Sequence, residues 1–160
     1  MVIFSCKKET SSNPIPTLEL KGYQVLSDSV GKDSLIRINL SYSDGDGNLG
    51  LEDDNLSYPF GYNDPYFYNL FVDYYIEENG VFVKKENPLS PTKDTIAFNE
   101  RIQNITPTGK VKWVYGDISI NIPAFPYGLK PKKVMFKCRL VDRDINISET
   151  VETPAIDLKG

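Results

Sequence analysis

The chain contains no histidine, only two cysteines and a single tryptophan in 160 residues. Without histidine there are no His-based catalytic triads, no imidazole general bases and no His-ligated zinc or haem. Basic residues are outnumbered, with 18 Lys plus Arg against 22 Asp plus Glu. The resulting charge of -4 and isoelectric point near 4.9 argue against nucleic acid as a partner. No run approaches the ~20 apolar residues that cross a bilayer as a helix. Helical periodicity is missing too, since no window of ~12 residues carries an apolar stripe at helical spacing. Hydrophobic residues nonetheless make up 40% of the chain and charged residues 25%, which suits the core and surface of one compact domain.

Period-two alternation takes the place of the helical pattern. Ile36, Ile38, Leu40 and Tyr42 alternate with Arg37, Asn39 and Ser41, and a second alternating run extends from Tyr68 to Ile76. Further strands are expected over 18–26, 81–85, 95–102, 111–115 continuing through 118–122, 133–142 and 150–158. Asn79-Gly80 marks a two-residue hairpin, because a type I′ turn needs positive φ at both central positions. Seven or eight short antiparallel strands bury one face each most readily as a two-sheet, all-β sandwich. On its strand Cys138 shares a face with Val134, Phe136 and Leu140 and reads as a small core hydrophobe without a disulfide to Cys6. Trp113, alternating with Val111 and Tyr115, is expected in the core, with a sugar-stacking platform as the alternative.

From Ser43 to Phe67, 25 residues show no strand pattern, and a connection of that length is usually functional or disordered. Asp44, Asp46, Glu52, Asp53, Asp54 and Asp64 fall there without one Lys or Arg, so the segment carries -6 and calls for something positive. Asp44-Gly45-Asp46-Gly47-Asn48-Leu49-Gly50 sets oxygen-bearing side chains at alternate positions with glycines beside them. A short backbone of that kind can wrap one Ca²⁺, which takes oxygens at ~2.3–2.6 Å. Asp44, Asp46, Asn48 and Asp53 are the candidate ligands. Leu49 and Asn55 occupy the sixth and twelfth places counted from Asp44, so the loop is no EF-hand. The alternative is a glycine-rich loop held by Asx-turns without metal. The same segment then turns aromatic, with Tyr58, Phe60, Tyr62, Tyr66 and Phe67 among prolines, Asn and Asp. Those rings are either a ligand-binding surface or a satellite core folded over the end of the sandwich.

Ile3-Phe4-Ser5-Cys6 resembles the end of a bacterial lipobox, and the polar stretch from Lys7 to Pro16 resembles the tether that follows a lipidated cysteine. Five residues are too few for a charged plus an apolar leader segment of ~7–15 residues, so the true start is expected upstream of Met1. With the strand set, the Ser43 to Gly50 motif and the closing Val141 to Ser148 stretch, the chain resembles immunoglobulin-like or fibronectin-type surface lipoproteins of Bacteroidota. The resemblance implies lipidation at Cys6, a tether over residues 1–16, an immunoglobulin-like sandwich over 17–160 and a place in the cell envelope at the outer membrane. It would also bring Asp142 and Asp144 beside the acidic loop; with Arg143 between them they read as an ordinary polar turn rather than as ligands. The expected function is non-enzymatic, a calcium-rigidified adhesion or assembly module with an envelope protein as partner. The alternative is an accessory module holding extracellular glycan through the aromatic loop.

Overall fold

The computed structural model describes residues 13–109 and 112–160, so Cys6 and Val111 lie outside the described residues. Alternation gives strands where it was strongest: β1 (Thr17–Ser27), β2 (Asp33–Asp44), β3 (Leu70–Glu78), β4 (Val81–Lys84), β5 (Val114–Pro123) and β6 (Lys133–Leu140). Two short strands, β7 (Val151–Glu152) and β8 (Ile156–Asp157), follow. One sheet has the order β1-β2-β5; the other has the order β4-β3-β6-β7, with β8 also paired to β6. All of these strand pairs are antiparallel. The arrangement is an all-β sandwich with β1, β2 and β5 in the A, B and E places and β3 and β6 in the C and F places of the immunoglobulin-like order. The connections after β2 and after β6 therefore meet at one end.

The core is an alternation of facing pairs. Ile36 lies opposite Ile122, Ile38 opposite Ile120 and Leu40 opposite Ile118 in the first sheet. Val72 faces Cys138, Tyr74 faces Phe136 and Leu70 faces Leu140 in the second. Most of these side chains are removed from water, and each fully buried Ile, Leu or Phe contributes roughly 1.5–3 kcal/mol. Cys138 sits among them as a free thiol, and burial pushes its pKa up to about 12. The β3–β4 hairpin closes through Asn79 (φ 53°) and Gly80 (φ 81°), the two positive angles a type I′ turn requires.

Three expectations are corrected. Residues 95–102 do not form a regular strand; Thr95, Ala97 and Glu100 make single bridges to Glu86, Asp73 and Leu70. The ladder breaks because the Asn99 side chain, through Oδ1, accepts the Val72 N–H at 3.0 Å. The expected strand over 150–158 is split into β7 and β8 on either side of Pro154, which lacks an N–H to donate. Trp113 is half-buried and outside the core cluster. A strand running through both 111–115 and 118–122 cannot bury an odd-numbered and an even-numbered set on one face. β5 pairs with β2 over ten residues without a bulge, so Ile118, Ile120 and Ile122 face inward and Tyr115 faces out.

Candidate metal centre

Asp44 is the last residue of β2 and continues the inward series Ile36, Ile38, Leu40, Tyr42. Asp142 stands two residues beyond Leu140, at the end of the inward series of β6. One strand of each sheet thus delivers a carboxylate to the same end of the sandwich, between the layers. Asp44 is 1% exposed and Asp142 is also buried. One carboxylate oxygen from each of Asp44, Asp46 and Asp142 lies within 4.8 Å of the others. That spread matches a single ion ringed by oxygens at ~2.3–2.6 Å.

The loop that carries Asp46 is fixed by its glycines. Gly47 (φ +67°) lies so close to the Lys112 carbonyl oxygen that an added Cβ would stand 1.6 Å from it, and at Gly50 (φ +87°) a Cβ would stand 2.2 Å from the Gln103 oxygen. Positive φ and close backbone approach both require glycine at these two places. Asp46 accepts from the Asn48 amide N–H at 3.4 Å and from Asn48 Nδ2 at 3.2 Å. The same Nδ2 donates to Asp144 Oδ2 at 2.9 Å. Asp142 organises its own turn, accepting from the N–H groups of Asp144 (2.9 Å) and Asn146 (2.8 Å) and from Asn146 Nδ2 (2.8 Å). Asx-turns are therefore present on both loops, as the metal-free alternative anticipated.

Those turns leave three acceptors over. Both carboxylate oxygens of Asp44 and the Oδ1 of Asn48 are out of contact with solvent and receive no hydrogen bond. A buried acceptor with no donor costs about 1–3 kcal/mol, and more when it is charged. Burial, followed by the negative charges of Asp46 and Asp142, raises the pKa of Asp44 to about 7 against the opposing pull of the nearby Asn48 N–H, which by geometry is directed to Asp46 at 3.4 Å. Burial also raises that of Asp142, against the opposing pull of its hydrogen bonds from Asn146 and Asp144. Asp44, Asp46, Asp142 and the Asn48 carbonyl form a hard, all-oxygen, anionic set. It suits Ca²⁺ or another oxygen-seeking cation, with backbone carbonyls or water completing six to eight ligands.

Of the four ligands expected from sequence, Asp44, Asp46 and Asn48 come together and Asp53 stands apart. Leu51 is buried and donates its N–H to the Ile102 carbonyl at 2.9 Å, which turns the chain away from the centre. Asp53 then accepts from Gln103 Nε2 at 2.9 Å. Asp142 replaces it.

The positive charge that the acidic segment called for comes from elsewhere in the chain. Arg143 donates through Nη1 to the Gly50 carbonyl (2.9 Å) and to Asn104 Oδ1 (2.8 Å), and through Nη2 to the Thr106 hydroxyl. Arg101 donates to the carbonyls of Phe67 (2.6 Å), Phe60 (3.3 Å), Glu52 (3.0 Å) and Asn55 (3.0 Å), and its guanidinium lies 4.9 Å from the centre of the Phe67 ring. Both guanidinium groups bind carbonyls of the loop rather than its carboxylates. Among the described residues no Lys or Arg pairs with Asp44, Asp46 or Asp142; the ion pairs lie on the β3–β6 sheet.

The aromatic segment divides in two around Arg101. Phe60, Tyr66 and Phe67 are half-buried, whereas Tyr58 and Tyr62 are 80% and 70% exposed. Tyr62 packs on Phe67 with ring centres 4.9 Å apart. The first three rings thus belong to the loop's own packing, and the last two point outward from it.

Neither arginine gave a local sequence signal, since each reaches its carbonyls from between 34 and 93 residues away along the chain. Asp142 did carry one, being a charged residue at the inward parity of a strand that ends just before it. No family model, curated protein or solved structure matches the chain.

Proposed function

We propose that this chain is a calcium-binding module of the cell envelope that works by binding rather than catalysis, in adhesion or assembly with an envelope protein. The observation that carries the reading is Asp44, buried between the sheets with neither oxygen hydrogen-bonded and with Asp46 and Asp142 beside it. A cation supplies the missing partner for all three buried acceptors and ties the loop after β2 to the turn after β6. Extracellular modules bind Ca²⁺ at ~10⁻⁴ to 10⁻³ M, so the site fills outside the cell. Lipidation at Cys6, with the polar stretch to Pro16 as tether, would hold the module at the outer membrane.

Calorimetry with CaCl₂ tests the centre. Binding in the millimolar range is expected, lost in Asp142→Asn and kept in Asp53→Asn. Absence of heat at millimolar Ca²⁺ refutes it. Detergent partitioning of protein expressed from the full reading frame, abolished by Cys6→Ala, tests the anchor.

A second reading is favoured by one observation: four hydrogen bonds from Arg101 rigidify a loop whose outward residues are Tyr58 and Tyr62. Rigid, exposed tyrosines lose little conformational entropy on binding, and in this reading they hold extracellular glycan.

A further inference from the structure

Toward the end of the β1-β2-β5 sheet nearest the acidic loop, the outward faces of β2 and β5 carry short polar side chains beside an aromatic pair. Along β5 the outward residues run Tyr115, Asp117, Ser119; opposite them on β2 stand Ser43, Ser41 and Asn39. Ser119 Oγ donates to Asn39 Oδ1 at 2.7 Å, so the ladder is ordered across the strands. At the end nearest the metal loop, Trp113 stacks on Tyr115 with ring centres 4.6 Å apart and planes at 29°. Tyr115 is 67% exposed.

Core packing does not account for this pair. Neither ring belongs to the core cluster, and the Trp113 indole N–H is out of solvent without an acceptor, which costs free energy. The only tryptophan of the chain instead braces a tyrosine that faces water. The Lys112 carbonyl beside it rests against Gly47, so the metal loop buttresses the segment from below.

We infer that Trp113 and Tyr115 form a stacking platform for a neutral glycan, with Ser43, Ser41 and Asp117 hydrogen-bonding its hydroxyls. An aromatic face carries negative charge density that attracts the polarised C–H groups on the flat side of a pyranose ring. Beside the platform, each hydroxyl can donate or accept, as sugar hydroxyls do. Side chains repeat at about 6.8 Å along a strand and about 4.8 Å between strands, which gives an extended chain of sugars successive contacts. Ser43 and Ser41 are uncharged, and among the described residues Asp117 next to Tyr115 and the exposed Lys112 before Trp113 give the surroundings charge of both signs, which suits a neutral ligand. The site is separate from Tyr58 and Tyr62 and from the carboxylate centre.

Native gels containing soluble neutral polysaccharides (β-glucan, xylan, glucomannan, dextran) test the inference with the whole chain. Retardation by at least one is expected, weakened at least tenfold in Tyr115→Ala and in Trp113→Ala and kept in Tyr115→Phe. The double variant Tyr58→Ala/Tyr62→Ala should be retarded like the parent protein. Tyr115 is exposed, so Tyr115→Ala should keep the parent melting temperature and decides the matter even if Trp113→Ala unfolds. No retardation by any of the four, retardation surviving Tyr115→Ala, or loss confined to the Tyr58/Tyr62 variant overturns the inference.

Discussion

Replacing Asp44 by Asn should make the metal-free protein more stable while removing its response to calcium. A carboxyl whose pKa is raised by folding binds its proton more tightly in the folded state. Stability is therefore greatest below the unfolded value of 3.8 and falls as the pH climbs to the folded value of about 7. At about 1.36 kcal/mol per pH unit, the cost of burying the charge reaches roughly 4 kcal/mol near neutrality, an upper figure because the loop can relax. Asn has nearly the same shape, carries no charge and offers two N–H donors to the oxygens of Asp46 and Asp142. Urea unfolding in EDTA, followed by tryptophan fluorescence at pH 4 and pH 8, measures the difference. The two proteins should agree within about 1 kcal/mol at pH 4, where the folded carboxyl is protonated and the unfolded one is close to half protonated, and the variant should lead by several kcal/mol at pH 8. Asp142, raised in the same direction, leaves the variant a weaker pH slope of the same sign. Calcium at ten times its dissociation constant should then stabilise the parent protein by ~1.4 kcal/mol and the variant by almost nothing. A variant less stable than the parent in EDTA at pH 8, or an unchanged calcium response, would refute the reasoning.

Arg143→Ala should cost about 2–3 kcal/mol, because the Gly50 carbonyl and Asn104 lose a charged donor in a part-buried setting; thermal melts with and without calcium read it. Gly47→Ala should prevent the loop from closing, since a Cβ would overlap the Lys112 carbonyl, and calorimetry should find calcium binding lost. Arg101→Ala frees four loop carbonyls, so limited proteolysis should cut between Glu52 and Phe67 well before the sandwich unfolds. In a Cys6→Ser background, Cys138 should resist iodoacetamide at pH 8 until denaturant is added, because burial holds the thiol protonated.

The strands with strict alternation, the hairpin at Asn79-Gly80 and the composition of the acidic glycine loop were legible along the chain. These rest on near-neighbour physics: side-chain parity along a strand, positive φ in a turn and the pull of like charges for a cation. The alternation was clear only as far as Tyr42, so Asp44 was legible as a residue of the acidic loop and not as the end of an inward series. The outward turn of Tyr115, and with it the place of Trp113 outside the core, came from tertiary pairing, because the parity of 114–123 is fixed by its register with β2. The tertiary structure also puts Asp142, rather than Asp53, beside Asp44 and Asp46; Asp142 lies 98 residues beyond Asp44 along the chain and meets it because the two facing sheets bring the ends of β2 and β6 together. The two arginines that bind the loop's carbonyls were invisible for the same reason, since a guanidinium that reaches across the fold leaves no pattern among its sequence neighbours.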